Sequence, residues 1–274
     1  MKNTGELKKY AEYLFRRELS KGTIDIYLRE AQKLLVFLEG RGITKENMIN
    51  YKKYLMRRKI GVNTRNLYIV AANSYLKYMG CETCCVRTEK IQKRHSLSNV
   101  LNGKDAGKMM LAARKKGQEK YYFIMRTLSL TGMRVSELSY LTIEELEQGK
   151  FTVKNKGKIR EIYLPDQLVK ELYGYCRTAG IMSGTVFLGK NGNPIHRISV
   201  YKALMKLAED AGVPRERAHP HSFRHLFAIT YMRQYGNLTE LADILGHSSL
   251  ETTRIYTLTT VEEKRRRLSE LKFE

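Results

Sequence analysis

The chain has 274 residues, of which 42% are hydrophobic, so it can fill one large core or two modest ones and is not expected to be disordered. Its 50 Lys and Arg outnumber its 28 Asp and Glu, and the formal net charge of +22 favours a polyanionic partner. No stretch approaches about 18 apolar residues and the N-terminus lacks an apolar signal segment, so we expect a cytoplasmic protein without a membrane partner.

The first eighty residues predict four helices, over residues 5–19, 23–40, 45–58 and 63–79. In the second, Ile24, Leu28, Ala31 and Leu35 recur at helical spacing and indicate a core-facing stripe. The third interleaves tyrosines with basic side chains, a pattern that favours contact with phosphates, although a solvated basic face over a tyrosine-packed core has the same pattern. The candidate DNA-binding residues of this region are Lys52, Lys53, Arg57, Arg58, Lys59 and, on the fourth helix, Arg65.

The four cysteines indicate a reducing compartment, because they do not form a spread, even framework. Cys81, Cys84 and Cys85 form a CxxCC cluster that superficially resembles half of a zinc site. No second Cys or His pair follows at finger-like spacing, so we expect ordinary buried thiols and no metal.

Helical periodicity fades over residues 87–105, which we interpret as a linker between an N-terminal domain (1–86) and a second domain (106–274). The second domain is predicted to be mainly α with a small β-sheet. Helices are expected over 106–115, 119–130 and 135–141, and again from Asp166, Ser199, Ser222, Thr239 and Ser249. A hairpin of strands 151–153 and 161–164 is expected, with a third strand over 185–188.

Six residues of the second domain could together perform phosphodiester chemistry, which needs a nucleophile, donors to the phosphate oxygens and an acid for the leaving alkoxide. Guanidinium groups match phosphate geometry and stay charged, so Arg134 and Arg224 suit the donor role. A lysine at a hairpin turn can protonate a leaving 5′ oxygen, and a tyrosine beside cations and a base can act as nucleophile. The full set is Arg134, Lys156, His221, Arg224, His247 and Tyr256.

Local spacing supports this set. His221 and Arg224 lie three residues apart at the start of a helix and project from one face. Gly246 looks like a helix end and Ser248–Glu251 like a capping box, which puts His247 in a tight turn. Tyr256 would lie two turns along the next helix, whose movement could advance or withdraw its hydroxyl.

These motifs resemble the tyrosine recombinase, or phage integrase, family, especially its Xer-like members and the integrases of mobile elements. The family pattern of Thr-Gly-Leu-Arg-x-x-Glu-Leu, a hairpin Lys-Gly, His-x-x-Arg-His, Leu-Gly-His and a following Tyr occurs here in order, with Met133 in place of the Leu. The resemblance implies that the six residues are catalytic, that Glu137 supports them, and that the reaction passes through a 3′-phosphotyrosyl intermediate. Because that intermediate keeps the phosphate ester, neither ATP nor a metal nor another cofactor is expected.

The hairpin is about one residue shorter than the usual family turn, so Lys154 and Lys158 remain alternatives to Lys156 as the acid. Arg160 is expected to contact phosphate. For His219 and His225, beside the His-x-x-Arg motif, we expect packing or supporting roles instead of direct chemistry.

The N-terminal helices resemble the family's core-site-binding, SAM-like domain, notably over residues 61–67 and 75–79. Two basic domains joined by a linker suggest a clamp around one half-site of a double-stranded DNA core site. The resemblance implies a monomer when free and a homotetramer on DNA that resolves a Holliday junction, with room for accessory directionality factors. An apolar stripe at Val261, Leu268, Leu271 and Phe273 predicts a tail helix. The resemblance implies that this helix docks on a neighbouring subunit, and the alternative is that it caps its own domain.

The expected function is therefore site-specific recombination, whether by integration and excision, inversion or resolution. Two alternatives remain: a type IB topoisomerase-like enzyme, and a catalytically silent DNA-binding regulator. A topoisomerase would relax plasmids that lack a special site, and a regulator would bind DNA without ever joining it covalently.

Overall fold

A computed structural model describes residues 4–90, 100–155, 158–247, 249–257 and 268–270. The chain divides into two compact units, Met1–Arg94 and His95–Glu274. Within the described ranges, every helix is too short or too polar to span a lipid bilayer. The structure is mainly helical, with one small antiparallel sheet, which confirms the predicted fold class.

The N-terminal unit contains the four predicted helices. They are α1 (Thr4–Arg16), α2 (Lys21–Phe37), α3 (Lys45–Arg57) and α4 (Val62–Tyr78), followed by a 3-10 turn over Glu82–Cys84. Ser20 and Thr44 cap α2 and α3 by accepting hydrogen bonds from backbone amides three residues on. Tyrosines fill much of the core: the Tyr10 and Tyr75 rings meet edge-on, and the Tyr10 hydroxyl lies 3.0 Å from Ser74 Oγ.

Two asparagines of α4 hold the segment that follows the 3-10 turn. Asn73 pairs with both backbone groups of Val86 at 2.8 and 3.1 Å, and Asn66 pairs in the same way with Glu89 at 2.9 and 2.8 Å. Glu89, in the segment that we expected to begin the linker, is therefore hydrogen-bonded to the N-terminal unit.

The second unit is built around one central helix. Its helices are α5 (Gly103–Lys115), α6 (Glu119–Thr131), α7 (Ile143–Glu147), α8 (Asp166–Thr178), α9 (Arg197–Asp210), α10 (Pro220–Tyr235), α11 (Leu238–Leu245) and α12 (Leu250–Thr253). α6 packs against α5, α8, α9 and α10 and buries Phe123, Ile124 and Leu128. The segment after α6, predicted as a helix over 135–141, is a 3-10 helix over Val135–Tyr140.

The sheet consists of β1 (Lys150–Asn155) and β2 (Lys158–Tyr163), paired from Lys150↔Tyr163 to Asn155↔Lys158. The predicted third strand is wrong for the described residues, where the sheet has two strands. Thr185 and Leu188 each form only an isolated bridge, with Thr142 and Pro194 respectively. Gly184 and Gly192 flank this segment, and both have a positive φ, which is typical of turns.

Candidate active site

Arg134 and Glu137 form the first part of the site, directly after α6. That helix ends at Gly132 in the left-handed conformation (φ 62°), where an added Cβ would lie 2.4 Å from the Phe227 ring. The Glu137 side chain is buried and accepts two hydrogen bonds from Arg134, at 2.7 Å from the backbone amide and 3.0 Å from Nη1. The Arg134 guanidinium, one third exposed, is thus oriented by a buried carboxylate.

We expected Arg160 to contact a phosphate, but in the structure its guanidinium is paired with protein groups. Its side chain is only 11% exposed, and Nη2 donates to Glu137 Oε2 at 2.6 Å while Nη1 donates to the Ile244 carbonyl. The stem of Arg160 packs on Gly246 so closely that a Cβ there would lie 2.3 Å from Arg160 Cδ. Strand β2 is thereby joined both to the carboxylate that holds Arg134 and to the end of α11.

Arg224, near the start of α10, is almost completely buried. Nη1 donates to the Gly132 carbonyl at 2.7 Å and Nη2 to the Leu245 carbonyl at 2.5 Å, while Nε has no partner among the described atoms. Burial lowers its pKa, and the positive charges of Arg134 and Arg160 add to that effect. A buried cation bonded to neutral carbonyls is costly, and a bound anion would offset that cost.

His247 follows the left-handed Gly246 in the turn after α11. Its Nε2 lies 3.1 Å from Nη2 of Arg224, which can only donate, so Nε2 accepts. The ring proton then lies on Nδ1 and is donated to Thr253 Oγ1 at 2.8 Å. Burial, with the charges of Arg224 and Arg134, lowers the pKa of His247 to about 4, so the ring is neutral near pH 7.

Tyr256 lies in a 3-10 turn, Arg254–Thr257, instead of two turns along an α-helix as we predicted. The short α12 is capped by Ser249, one residue later than the expected cap, and Ser248 lies outside the described residues. Tyr256 is buried, and burial raises its pKa to about 12. Its hydroxyl oxygen lies 2.6 Å from His225 Nδ1.

His225 therefore contacts the candidate nucleophile, although sequence reasoning gave it only a packing or supporting role. The ring of His221 meets that of His225 edge-on with centroids 4.5 Å apart. His219, by contrast, lies against Ser222 Oγ at 3.1 Å. The four-residue spacing of His221 and His225 on α10 is the sequence signal that could have indicated a shared face.

Of the three lysines considered as the acid, only Lys154 has a described side chain. Lys156 lies outside the described residues, as does the side chain of Lys158, while Lys154 is exposed on β1. The choice among these three lysines remains a prediction.

The basic residues expected to contact DNA from the N-terminal unit differ in their surroundings. Lys53, Arg57, Arg58 and Lys59 are exposed. Lys52 Nζ donates to the Arg87 carbonyl at 2.8 Å. The Arg65 guanidinium is occupied by Glu89, at 2.7 and 3.1 Å, and by the Ile60 carbonyl. Two of the six residues thus hold the segment after α4.

The cysteines are free thiols. Cys81, Cys84 and Cys85 are half-buried and Cys176 is buried. Within the described ranges, no group of three or more His, Cys, Asp or Glu side chains is arranged to hold a metal ion.

Comparisons with known proteins agree on one family. The sequence profile of the phage integrase family matches residues 99–263. The chain is similar to tyrosine recombinase XerA of Pyrococcus furiosus, with 31% identity over 93% of this chain and 90% of that protein. It is also similar to a tyrosine recombinase of Pseudothermotoga lettingae, with 27% identity over 94% of this chain and 95% of that one.

Among solved structures, the chain shares its fold with the XerH site-specific recombinase in a pre-cleavage complex with its difH substrate. The TM-score is 0.71 at 21% identity, over 97% of this chain and 84% of that one. The extent of the profile match and the near full-length similarity to XerA establish the relationship. This chain belongs to the phage integrase family of tyrosine recombinases.

Proposed function

We propose that the chain is a site-specific recombinase that cleaves and rejoins double-stranded DNA, with Tyr256 as nucleophile. The observation that carries this proposal is the buried Arg224 guanidinium, which contacts His247 and two carbonyls and has an unpartnered Nε. A phosphodiester is the anion that matches such a group, and a tyrosine hydroxyl with a histidine beside it supplies a nucleophile within the same unit.

In this reaction Arg134, Arg224 and the histidines His221 and His247 would balance charge on the non-bridging oxygens of the scissile phosphate. Glu137 would hold Arg134 in position through its two hydrogen bonds. A negative phosphate beside His247 would also favour the imidazolium and raise the pKa that burial now lowers.

Lys156 would protonate the leaving 5′ oxygen, with Lys154 and Lys158 as the alternatives. The product of cleavage would be a 3′-phosphotyrosyl link to Tyr256 and a free 5′-hydroxyl. Because the link keeps the energy of the phosphate ester, rejoining would require neither ATP nor a metal ion.

The proposed partner is a duplex core site, bound through phosphate contacts from a chain with a net charge of +22. In the N-terminal unit, the exposed Lys53, Arg57, Arg58 and Lys59 would contribute. Four protomers would exchange strands through a Holliday junction, with a monomer as the free form and accessory factors setting direction. Docking of the C-terminal tail on a neighbouring protomer is also part of this proposal. It stays a prediction because Val261, Leu271 and Phe273 lie outside the described residues.

The experiment uses a pool of nicked duplexes with a randomised core, so that strand cleavage traps the covalent intermediate. Wild type, Tyr256→Phe and Tyr235→Phe are incubated with the pool and run on a denaturing gel. Tyr235 is 61% exposed and serves as a matched loss of one hydroxyl. We expect an adduct with wild type and Tyr235→Phe and none with Tyr256→Phe, and sequencing of the trapped DNA would identify the core site.

Other results would support the alternatives. DNA binding without an adduct from wild type would indicate a regulator that has lost the chemistry. Relaxation of plasmids that lack the recovered core site would indicate a topoisomerase-like enzyme.

A further inference from the structure

A buried threonine completes the surroundings of His247. Thr253 is the last residue of α12, lies three positions before Tyr256 and is shielded from solvent. Its Oγ1 lies 2.8 Å from Nδ1 of His247, while Nε2 on the far side of the ring faces Nη2 of Arg224 at 3.1 Å. The imidazole therefore bridges the guanidinium proposed to bind phosphate and a hydroxyl on the segment that carries Tyr256.

The tautomer of His247 in the free protein is unsuited to a bound phosphate. Because the Arg224 guanidinium can only donate, Nε2 accepts, and the ring proton lies on Nδ1, where Thr253 accepts it. A non-bridging phosphate oxygen is itself an acceptor, so it cannot pair with an Nε2 that carries a lone pair. For His247 to act on the phosphate through Nε2, that nitrogen must gain a proton.

A second proton on the ring would place a cation among cations. Burial lowers the pKa of His247 to about 4. The neighbouring charges and one further histidine act in the same direction, namely Arg224, Arg134, Arg160 and His221. A bound phosphate would raise this pKa, but the three guanidinium groups would remain around the ring. Transfer of the existing proton from Nδ1 to Nε2 supplies the donor without adding a charge.

The Thr253 hydroxyl is suited to both tautomers of the ring. A hydroxyl accepts a hydrogen bond from a protonated Nδ1 and, after rotation about its C–O bond, donates one to an Nδ1 that carries a lone pair. A carbonyl or carboxylate oxygen in the same place could only accept, and it would hold the proton on Nδ1. The hydroxyl therefore orients the ring without fixing which nitrogen is protonated.

We propose that Thr253 is a positioning residue whose hydroxyl allows His247 to exchange tautomers when the scissile phosphate binds. The proposal rests on the function proposed above and specifies how His247 serves it. One proton leaves Nδ1 for water, one arrives at Nε2 from water, and the hydroxyl rotates from acceptor to donor, so the ring has the same charge before and after. Nε2 then donates to a non-bridging oxygen, and one N–H of Arg224 is released to the same phosphate.

The first test removes the hydroxyl and keeps the shape of the side chain. Thr253→Val and Thr253→Ser are compared with wild type in single-turnover cleavage of the nicked duplex recovered from the randomised pool. We expect Thr253→Val to lose roughly 10- to 100-fold in rate, as for other residues that orient a functional histidine, and Thr253→Ser to keep most of the wild-type rate. The control is Thr252→Val, which removes an exposed hydroxyl from the same helix and should cleave at the wild-type rate.

A second test observes the ring proton directly. The nitrogen NMR shifts of an imidazole distinguish a nitrogen that carries a proton from one that carries a lone pair, and His247→Asn identifies the signals by their loss. The measurement uses Tyr256→Phe, which should bind the recovered duplex without cleaving it. We expect the proton of His247 on Nδ1 before DNA is added and on Nε2 in the complex.

Cleavage by Thr253→Val at the wild-type rate, or an equal loss of rate in Thr253→Ser, would overturn the proposal. So would a complex in which His247 carries a proton on both ring nitrogens or keeps its proton on Nδ1. Thermal unfolding and DNA binding of each variant identify a loss of rate that comes from a loss of fold, and in that case the NMR measurement, which leaves Thr253 intact, decides. Failure of the proposed function itself would look different, because wild type would then form no adduct.

Discussion

Nη2 of Arg160 lies 2.6 Å from Oε2 of Glu137, and the same carboxylate orients Arg134. Arg160 also donates to the Ile244 carbonyl at the end of α11. One buried arginine therefore joins the β-hairpin, the segment after α6 and the turn that carries His247. Since each of these segments supplies a candidate catalytic residue, we expect Arg160 to act as a positioning residue for the site.

Replacement of Arg160 by Lys should lower both stability and cleavage rate. A lysine is a point charge without the planar fork that reaches Glu137 and Ile244 together. Because Arg134 still pairs with Glu137, we expect a loss of about 2 kcal/mol in the free energy of unfolding, less than for a fully orphaned buried charge. Urea denaturation measures it, with Lys150→Ala as the control, since the Lys150–Glu161 pair on the same hairpin is largely exposed. Equal effects of the two substitutions would contradict this role.

Gly246→Ala should disturb the site beyond ordinary backbone strain. Gly246 has φ 63°, and an added Cβ would lie 2.3 Å from Arg160 Cδ. The matched control is Gly236→Ala, which ends α10 with φ 69° and has nothing within 4 Å of the added Cβ. The left-handed conformation should lower the free energy of unfolding of both variants by about 1 kcal/mol. Only Gly246→Ala should also reduce the cleavage rate. Thermal unfolding and single-turnover cleavage of the two variants check this, and equal cleavage rates would refute it.

Stability should fall on mild acidification. Burial lowers the pKa of His225 and of His247 from 6.5 to about 4 in the folded protein. As the pH falls below about 6.5, the unfolded chain binds protons that the folded protein does not, so the free energy of unfolding decreases until about pH 4. At about 1.4 kcal/mol for each unit of pKa difference, the two histidines together should account for a loss of up to about 7 kcal/mol. Urea denaturation across this range measures it, and the slope should shrink in a His225→Asn, His247→Asn double variant. If the free energy of unfolding of the double variant depended on pH as strongly as that of wild type, other titratable groups would be responsible for the loss of stability.

Arg57 and Arg65 should respond differently to salt. Arg57 is exposed and would release a counterion on contacting phosphate, so Arg57→Gln should reduce the slope of log affinity against log salt by about one. Arg65 is already paired with Glu89, so Arg65→Gln should leave that slope unchanged while loosening the segment after α4. Fluorescence anisotropy with the recovered duplex at several salt concentrations distinguishes the two. A reduced slope for Arg65→Gln would instead indicate that Arg65 contacts a DNA phosphate.

Much of the secondary structure followed from local patterns. Apolar spacing and caps such as Ser20 and Thr44 predicted the four N-terminal helices, because a helix stripe and its cap are set by residues within a few positions of each other. The prediction of a third strand was wrong because strand pairing depends on where the chain turns. The bridges at Thr185 and Leu188 each end after one residue pair.

The sequence by itself determined which chemical groups are present and their order, because Arg134, His221, Arg224, His247 and Tyr256 follow the family pattern. Arg134 and Glu137 are also close enough in the chain to meet locally. Only the tertiary structure decided that Arg160 lies inside the site and that His225 touches Tyr256. Arg160 and Ile244 are 84 residues apart, and His225 and Tyr256 are 31 apart. Contacts over such separations depend on how helices and strands pack against one another, and no local spacing encodes that packing.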